Sequence, residues 1–237
     1  MNGDHEAGGL SISLHPRISD RLLAVLGLIA TSPILATAAV GIKLSGSGPV
    51  VYRAKRAGLH GRPFTMYKLR TMRNWSTPGE ITLITGGADP RVFPWGRWLR
   101  RLKIDELPQL VNVIRGDMAI VGPRPEDPTI VERDYQPWMR ETLSVLPGLT
   151  SPGSLDYFAD ESSLPADPTA AEAIYLRELL PRKIAADLVY VRHRSAAYDA
   201  ALMLRTAVGV LGAHRLFTTT RMWELGEAER ILDEEST

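Results

Sequence analysis

The sequence predicts an α+β protein that attaches to a membrane, and three observations lead to this fold class. Residues 22–42 form an uncharged apolar stretch that is long enough to reach across the hydrocarbon core of a bilayer. Residues 64–72 alternate between apolar and polar side chains, as strands do. Residues 95–101 read as an amphipathic helix, and a second helix-like apolar stretch follows Glu106. We therefore expect one N-terminal membrane helix, short β elements and amphipathic helices at the membrane interface.

Composition restricts the classes of protein to consider. Of 237 residues, 44% are hydrophobic and 23% are charged, which is typical of a globular chain and not of a disordered one. The formal net charge is +1, so the chain has no overall positive field and no nucleic-acid partner is expected. The absence of cysteine excludes disulfides and thiolate chemistry, and it fits a location on the cytosolic side.

The chain divides into four segments. Residues 1–15 are polar and Gly-rich, and we expect them to be disordered. The membrane helix is expected over 16–44, a cytosol-facing domain over 45–217, and an acidic, peripheral tail over 218–237. Within the domain, residues 74–90 are polar and Gly-rich, which indicates a mobile loop.

The apolar segment is predicted to enter the membrane and return to the same face. Pro33 removes a helical hydrogen bond and clashes with the carbonyl of Ile29, so a break is expected at Ser32-Pro33. The Ser32 hydroxyl could satisfy a backbone group that the break frees. Cationic residues flank both ends of the segment: Arg17, Arg21, Lys43, Arg53, Lys55 and Arg56. Because positive charge favours the cytoplasmic side of a membrane, neither end of the segment resembles one that lies outside the cell. The alternatives are a cleaved signal peptide and the buried helix of a soluble protein.

A basic hairpin is expected after the membrane segment. Residues 50–53 and 64–72 read as strands, and residues 56–62 as the loop between them. Phe64 and Met66 are expected to point inward. The two strands would carry four cations suited to bind phosphate or an anionic membrane surface: Lys55, Arg56, Lys68 and Arg70. Lys68 and Arg70 are expected to point outward. The alternative is a solvated charged strand.

Two adjacent carboxylates, Asp105 and Glu106, follow a cationic run and precede the second helix-like stretch. Adjacent side chains on a helix point about 100° apart, so the two acids could do different jobs at one place. A carboxylate can act as a nucleophile or as a metal ligand, and nearby guanidinium groups bind phosphate. The alternative is an ordinary helix start, whose first turn favours acids.

Several short motifs succeed one another along the chain: Lys55-Arg56-Ala57-Gly58, Tyr67-Lys68-Leu69-Arg70-Thr71-Met72, Asp89-Pro90-Arg91-Val92, Asp105-Glu106-Leu107-Pro108-Gln109-Leu110, Asn112-Val113, Gly116-Asp117-Met118 and Val121-Gly122-Pro123-Arg124-Pro125. With the Ser-Pro step in the apolar segment, they resemble the bacterial sugar transferases. These are the monotopic phosphoglycosyl transferases that begin glycoconjugate synthesis on a polyprenyl phosphate carrier, and the chain resembles the small form of the family. The resemblance covers residues 17–150 closely and 180–206 loosely.

This resemblance implies a two-step reaction at the cytoplasmic face of the bacterial inner membrane. Asp105 would attack the β-phosphorus of a UDP-sugar and expel UMP, and polyprenyl (undecaprenyl) phosphate would then take the phosphosugar from the carboxylate. Glu106 would be associated with Mg²⁺. Arg100 matches a phosphate-contacting arginine of the family, and Arg124 is a second candidate. The product would start exopolysaccharide or another glycoconjugate.

Some points are left open by the sequence. Residues 151–155 depart from the usual Gly-Trp continuation of the family, so the sugar is not indicated, nor are the glycan pathway and the oligomeric state. Asp187 is interpreted as a surface acid in preference to a site residue. Arg100 could instead face the membrane as plain positive charge. The rival functions are an inert membrane-bound adaptor that uses the basic patch, and a single-span enzyme of other phosphoryl chemistry.

Overall fold

A computed structural model of the protein describes residues 17–73, 89–157, 160, 163–165, 167–210 and 218–235. The predicted disordered segment 1–15 and most of the predicted loop 74–90 lie outside these residues. The described part mixes helices with short strands, which confirms the predicted combination of α and β elements.

The helices are α1 (Ile18–Leu44), α2 (Pro94–Arg101), α3 (Gln109–Arg115), α4 (Pro128–Arg133), α5 (Pro152–Asp156), α6 (Pro168–Ile174), α7 (Leu180–His193), α8 (Ala196–Val210) and α9 (Thr218–Glu235). A π-helical turn, Tyr175–Leu179, joins α6 to α7. Short 3₁₀ segments cover Leu59–Gly61, Ile104–Glu106 and Trp138–Ser144. Two two-stranded sheets contain antiparallel β1 (Val51–Ala57) with β2 (Pro63–Leu69), and parallel β3 (Ala119–Val121) with β4 (Gly148–Thr150).

Helix α1 runs through Pro33 without ending there. The missing N–H of Pro33 would leave the carbonyl of Ile29 without its helical donor. The hydroxyl of Ser32 donates to this carbonyl at 2.7 Å, as the sequence predicted for a freed backbone group. Because the freed group is satisfied locally, the residues on both sides of Pro33 form a single helix, and the predicted break is not confirmed.

Along its length α1 packs against the rest of the chain on one side only. Ala24 packs against α3, whereas Ala38 and Ile42 pack against β2 and α2. Just before the helix starts, Arg17 forms an ion pair with Asp199 of α8 at 2.5 Å. The opposite side is apolar and exposed, and the mean hydropathy reaches 2.1 in an 18-residue window of which only 11% is buried. By length and composition α1 is the one described helix that could cross a membrane.

The β1–β2 hairpin is the predicted antiparallel pair, with Ala54 opposite Met66. Its second strand is bridged to α3 by the fully buried side chain of Asn112. The carboxamide donates to the carbonyl of Thr65 at 2.7 Å and accepts from the backbone N–H of Tyr67 at 3.1 Å. One side chain thus makes the two bonds that a neighbouring strand would make, and it fixes α3 against the edge of β2.

Strands β3 and β4 approach so closely that glycine is required between them. A Cβ atom at Gly122 would lie 2.4 Å from the carbonyl oxygen of Leu146, and one at Gly148 would lie 2.1 Å from the backbone nitrogen of Gly122. Gly148 donates its N–H to the carbonyl of Pro123 at 2.9 Å. The turn that carries Arg124 is therefore held tightly against β4.

The C-terminal segment is not the peripheral tail that the sequence predicted. Helix α9 packs on α7 through Ala228 and Ile231, which are almost fully buried. Glu224 is fully buried and accepts from Arg205 at 2.6 Å. Glu224, Ala228 and Ile231 follow one another at helical spacing, so the inward stripe was present in the sequence and was masked by the surrounding acids.

Replacing Asn112 with Ala should lower the midpoint of thermal unfolding. The substitution leaves the carbonyl of Thr65 and the N–H of Tyr67 without partners, which costs about 2–4 kcal/mol for two partly buried backbone groups. A decrease of roughly 5–10 °C is expected for a domain of this size. Glu132→Ala, on an exposed residue of α4, is the control and should change the midpoint little. Equal midpoints for both variants would contradict the bridging role.

Candidate active site

The acid pair lies in the 3₁₀ segment Ile104–Glu106, immediately before α3. Lys103 precedes it in the left-handed conformation, with φ of 55°, and turns the chain away from α2. Both carboxylates are buried, with 6% of Asp105 and 9% of Glu106 exposed. The helix-start interpretation is thus correct as local structure, but acids buried to this extent need partners.

Glu106 obtains its partners from three different parts of the chain. Its Oε1 atom lies 3.0 Å from Nζ of Lys68, 3.2 Å from Nη2 of Arg124 and 3.9 Å from Nζ of Lys103. Burial by itself would raise the pKa of this carboxyl, but the three cations outweigh it and hold the pKa well below its usual range. Glu106 is therefore ionised at neutral pH.

Asp105 has the opposite environment. Burial and the negative charge of Glu106 raise its pKa, and Lys68, Arg100 and Lys103 offset only part of this effect. Its Oδ1 atom is buried and accepts no hydrogen bond from the described part of the chain. A carboxylate oxygen that is shielded from water and not engaged by donors is a better nucleophile than a solvated one.

Arg124 reaches Glu106 because its backbone is fixed by Asp187 of α7. The N–H of Arg124 donates to Oδ2 of Asp187 at 3.0 Å, and the N–H of Gly153 donates to Oδ1 at 2.9 Å. Asp187 is only 2% exposed, so its interpretation as a surface acid is wrong. The flanking sequence Ala-Ala-Asp-Leu-Val is apolar, and this was the available signal that the acid points inward.

Arg100 lies near enough to the pair for its charge to act on Asp105. Its contact with phosphate stays a prediction. Its charge lowers the pKa of Asp105, and one guanidinium nitrogen lies 4.0 Å from the sulfur of Met72. Its half-buried side chain therefore adds positive charge on the Asp105 side of the pair. The ion pairs of Glu106 and the nearby Arg100 make this a strongly cationic setting for an anionic ligand.

Arg70, a predicted phosphate ligand that was expected to point outward, lies elsewhere. It is buried, and its guanidinium donates to the carbonyls of Ile42 at 3.3 Å, Gly46 at 2.8 Å and Ser47. Ile42 lies in the last turn of α1, and Gly46 and Ser47 follow its end. Arg70 therefore anchors the end of α1.

Of the other predicted phosphate-binding cations of the hairpin, only Lys68 reaches the acid pair. Lys68 shares a strand face with Phe64 and Met66, because residues two apart point the same way. The prediction that Lys68 points outward, away from Phe64 and Met66, is wrong. Because Lys68 points inward, its side chain reaches Glu106. Lys55 is exposed and donates to Thr65 at 3.3 Å, whereas Arg56 pairs with Asp127 at 2.9 Å. Neither contacts the acid pair.

A cleft adjoins the turn that carries Arg124. It contains about 240 Å³ of empty space, part of it open to solvent, and Gly58, Pro125, Tyr135, Thr142 and Val145 are among the residues that line it. Arg124 lines this cleft and also contacts Glu106 of the acid pair.

The donor set at the pair fits a magnesium ion that a substrate helps to bind. The described residues contain no group of three or more His, Asp or Glu side chains that could hold a metal by themselves. Mg²⁺ commonly uses only one or two carboxylates together with the phosphates of a substrate. The ionised Glu106 is one such carboxylate donor.

Comparison with known proteins identifies the family. The family model described as "Bacterial sugar transferase" matches residues 12–213. This chain belongs to that family. The sequence resemblance is thus confirmed at the level of the family.

Two relatives illustrate the extent of the similarity. A UDP-glucose:undecaprenyl-phosphate glucose-1-phosphate transferase of Caulobacter vibrioides is 36% identical over 206 residues, which cover 85% of this chain and 72% of the relative. A protein of the same name from Xanthomonas campestris pv. campestris is 36% identical over 198 residues, covering 82% of this chain but only 38% of the relative.

A third relative carries a different sugar in its name. The UDP-N-acetylgalactosamine-undecaprenyl-phosphate N-acetylgalactosaminephosphotransferase of Aeromonas hydrophila is 34% identical over 196 residues, or 81% of this chain and 42% of the relative. Two different sugars therefore occur in the names of relatives of similar identity.

Asp187→Asn should remove a pH-dependent part of the stability. Burial raises the pKa of Asp187 to about 6. A raised pKa in the folded state means that this carboxyl stabilises the fold below pH 4, and that this contribution is lost as the pH rises through 6. Between pH 4 and pH 7, wild type should lose up to about 3 kcal/mol relative to the variant.

Urea unfolding at both pH values measures this difference. The asparagine side chain of the variant has only one oxygen, so its N–H₂ group would face one of the two backbone N–H donors and that hydrogen bond would be lost. The variant should therefore be less stable than wild type at pH 4. A difference between wild type and variant that does not change with pH would contradict the titration of Asp187.

Proposed function

We propose that this chain transfers a sugar phosphate from a UDP-sugar to a polyprenyl phosphate, with Asp105 as the nucleophile. The observation that carries the proposal is the contrast between two adjacent buried acids. Glu106 is held ionised by three cations, whereas Oδ1 of Asp105 accepts no hydrogen bond from the described residues. The names of the relatives, which contain UDP-sugars and undecaprenyl phosphate, support the two substrates.

In the first step an oxygen of Asp105 forms a bond to the β-phosphorus of the UDP-sugar. The bond from this phosphorus to the oxygen that bridges the two phosphates breaks, and UMP leaves with the electron pair. In the second step a phosphate oxygen of the lipid attacks the same phosphorus, and the Asp105 carboxylate leaves. An acyl phosphate is a reactive intermediate, so the second transfer is easier than attack of the lipid on the nucleotide sugar.

The residues around the pair stabilise the charge that moves in these steps. Arg100 and Arg124 are suited to bind phosphoryl oxygens, because guanidinium groups bind phosphate at two points. We propose that Glu106 holds Mg²⁺ together with the diphosphate; when bound, the ion would neutralise the charge of the diphosphate. Lys68 would keep Glu106 ionised and in place.

We also propose that α1 lies in the cytoplasmic leaflet of the inner membrane with both ends on the cytoplasmic face. A helix of 27 residues is about 40 Å long, enough to span a bilayer. Yet Arg17, just before its start, pairs with Asp199 of α8, and Ile42, near its end, packs against β2 and α2. Both ends of α1 therefore contact the domain that follows it. Leu22, Leu26 and Ile29 on the outer side are more than 60% exposed, as expected for contact with lipid tails.

The transferase proposal predicts a covalent adduct. Incubation with UDP-sugars and Mg²⁺ should release UMP and add the mass of one phosphosugar to the protein, as measured by intact mass spectrometry. Asp105→Asn should abolish both, and Glu106→Gln should weaken the dependence on Mg²⁺. Surface Asp160→Asn is the control and should behave as wild type. UMP release that persists in Asp105→Asn would exclude the proposed nucleophile, and an inert adaptor would release no UMP at all.

The membrane proposal predicts labelling from one side. Because the chain has no cysteine, single cysteines can be introduced at position 5 and at the exposed Arg62 without a background. In sealed spheroplasts neither should react with an impermeant maleimide, and in inverted vesicles both should react. Reaction of the two positions from opposite faces would instead establish α1 as a spanning helix.

A further inference from the structure

A second buried polar atom without a partner lies close to the acid pair in the chain. The Nε2 atom of Gln109, at the first position of α3, is buried and makes no hydrogen bond within the described part of the chain. The residue is only 3% exposed. A buried donor without an acceptor is unfavourable and rare in native proteins, unless a ligand or water completes it.

The backbone brings Gln109 to the side of the molecule on which the acids lie. Ile104–Glu106 is helical, Leu107 and Pro108 have right-handed helical dihedral angles, and α3 follows directly. Gln109 comes three residues after Glu106 and four after Asp105, and residues at these spacings are neighbours on a helix surface.

The neighbours of Gln109 in α3 hold this helix in place. Leu110 packs under α1, against Gly27, and Asn112 bridges to β2. Gln109 makes neither kind of contact through Nε2, so the donor is not needed to hold α3 in place. The segment therefore contains one buried acceptor without a donor, on Asp105, and one buried donor without an acceptor, on Gln109.

We infer that the carboxamide of Gln109 donates a hydrogen bond to a phosphoryl oxygen of the group that Asp105 attacks. A phosphoryl group offers a partner to both atoms. Its phosphorus is an electrophile for Oδ1 of Asp105, and its oxygens can accept a hydrogen bond from Nε2 of Gln109. The nearby charges of Arg100, Lys68 and Arg124 favour the same anionic ligand. This inference rests on the proposed function, and it adds a neutral donor to a site otherwise made of charged groups.

The neutral donor has a specific advantage. Another cation would pair with Asp105 and engage the oxygen that must attack, whereas an amide donates without adding charge. Negative charge accumulates on the phosphoryl oxygens as the bond to the leaving group breaks, and a donor positioned for it stabilises that state. Gln109 should therefore act mainly on the rate of adduct formation at saturating UDP-sugar.

Single-turnover formation of the phosphosugar adduct in the full-length, membrane-reconstituted protein tests the inference. Gln109→Leu and Gln109→Met should each slow the step by about 100-fold at saturating UDP-sugar, a typical cost of removing one such donor. The midpoint of thermal unfolding should stay the same or rise, because the lost donor had no protein partner. Gln136→Leu, on an exposed glutamine, is the matched control and should keep the wild-type rate.

Each other outcome overturns the inference. An unchanged rate in both variants excludes contact with the phosphoryl group. A parallel decrease of rate and unfolding midpoint in both variants assigns Gln109 a structural role instead. Absence of an adduct in the wild-type protein overturns the proposed function itself, and this result is distinguishable because it appears before any substitution at Gln109 is made.

Discussion

The ion cluster around Glu106 is the interaction on which the site depends. It joins three separate parts of the chain, since Lys68 comes from β2, Lys103 from the turn after α2, and Arg124 from the turn after β3. Removing a carboxylate from water costs several kcal/mol. One charge at about 4 Å returns about 4 kcal/mol at the effective dielectric constant of protein sites. A single cation would barely offset the burial of Glu106, whereas three cations make the ionised form stable.

This cluster also explains how two adjacent acids come to differ. The cations that neutralise Glu106 act on Asp105 only through space, and Asp105 experiences the negative charge of Glu106 as well. Two buried polar residues outside the cluster hold its members in position. Asn112 fixes α3 to β2 and so brings Lys68 to the pair, and Asp187 fixes the backbone of Arg124. Neither group contacts Asp105, yet both determine its surroundings.

The sequence was sufficient for the acid pair, the hairpin and the apolar helix, because each of these has a local signature. It was not sufficient for side chains whose role is decided by distant partners. Arg70 was expected to bind phosphate, but the carbonyls at the end of α1 engage it. Asp187 was interpreted as a surface acid because its donors come from residues more than 30 positions away. The inward direction of Lys68, by contrast, follows from strand alternation and could have been derived from the sequence.

The proposed intermediate joins an Asp105 oxygen to the phosphorus of the phosphosugar, so the position of the phosphosugar on the chain is the most direct test. After reaction with a UDP-sugar and a rapid acid quench, which preserves an acyl phosphate better than neutral buffer does, proteolysis and tandem mass spectrometry can locate the added mass. We predict that the mass lies on Asp105, with Glu106 and Asp187 unmodified. A phosphosugar on any other residue would contradict it.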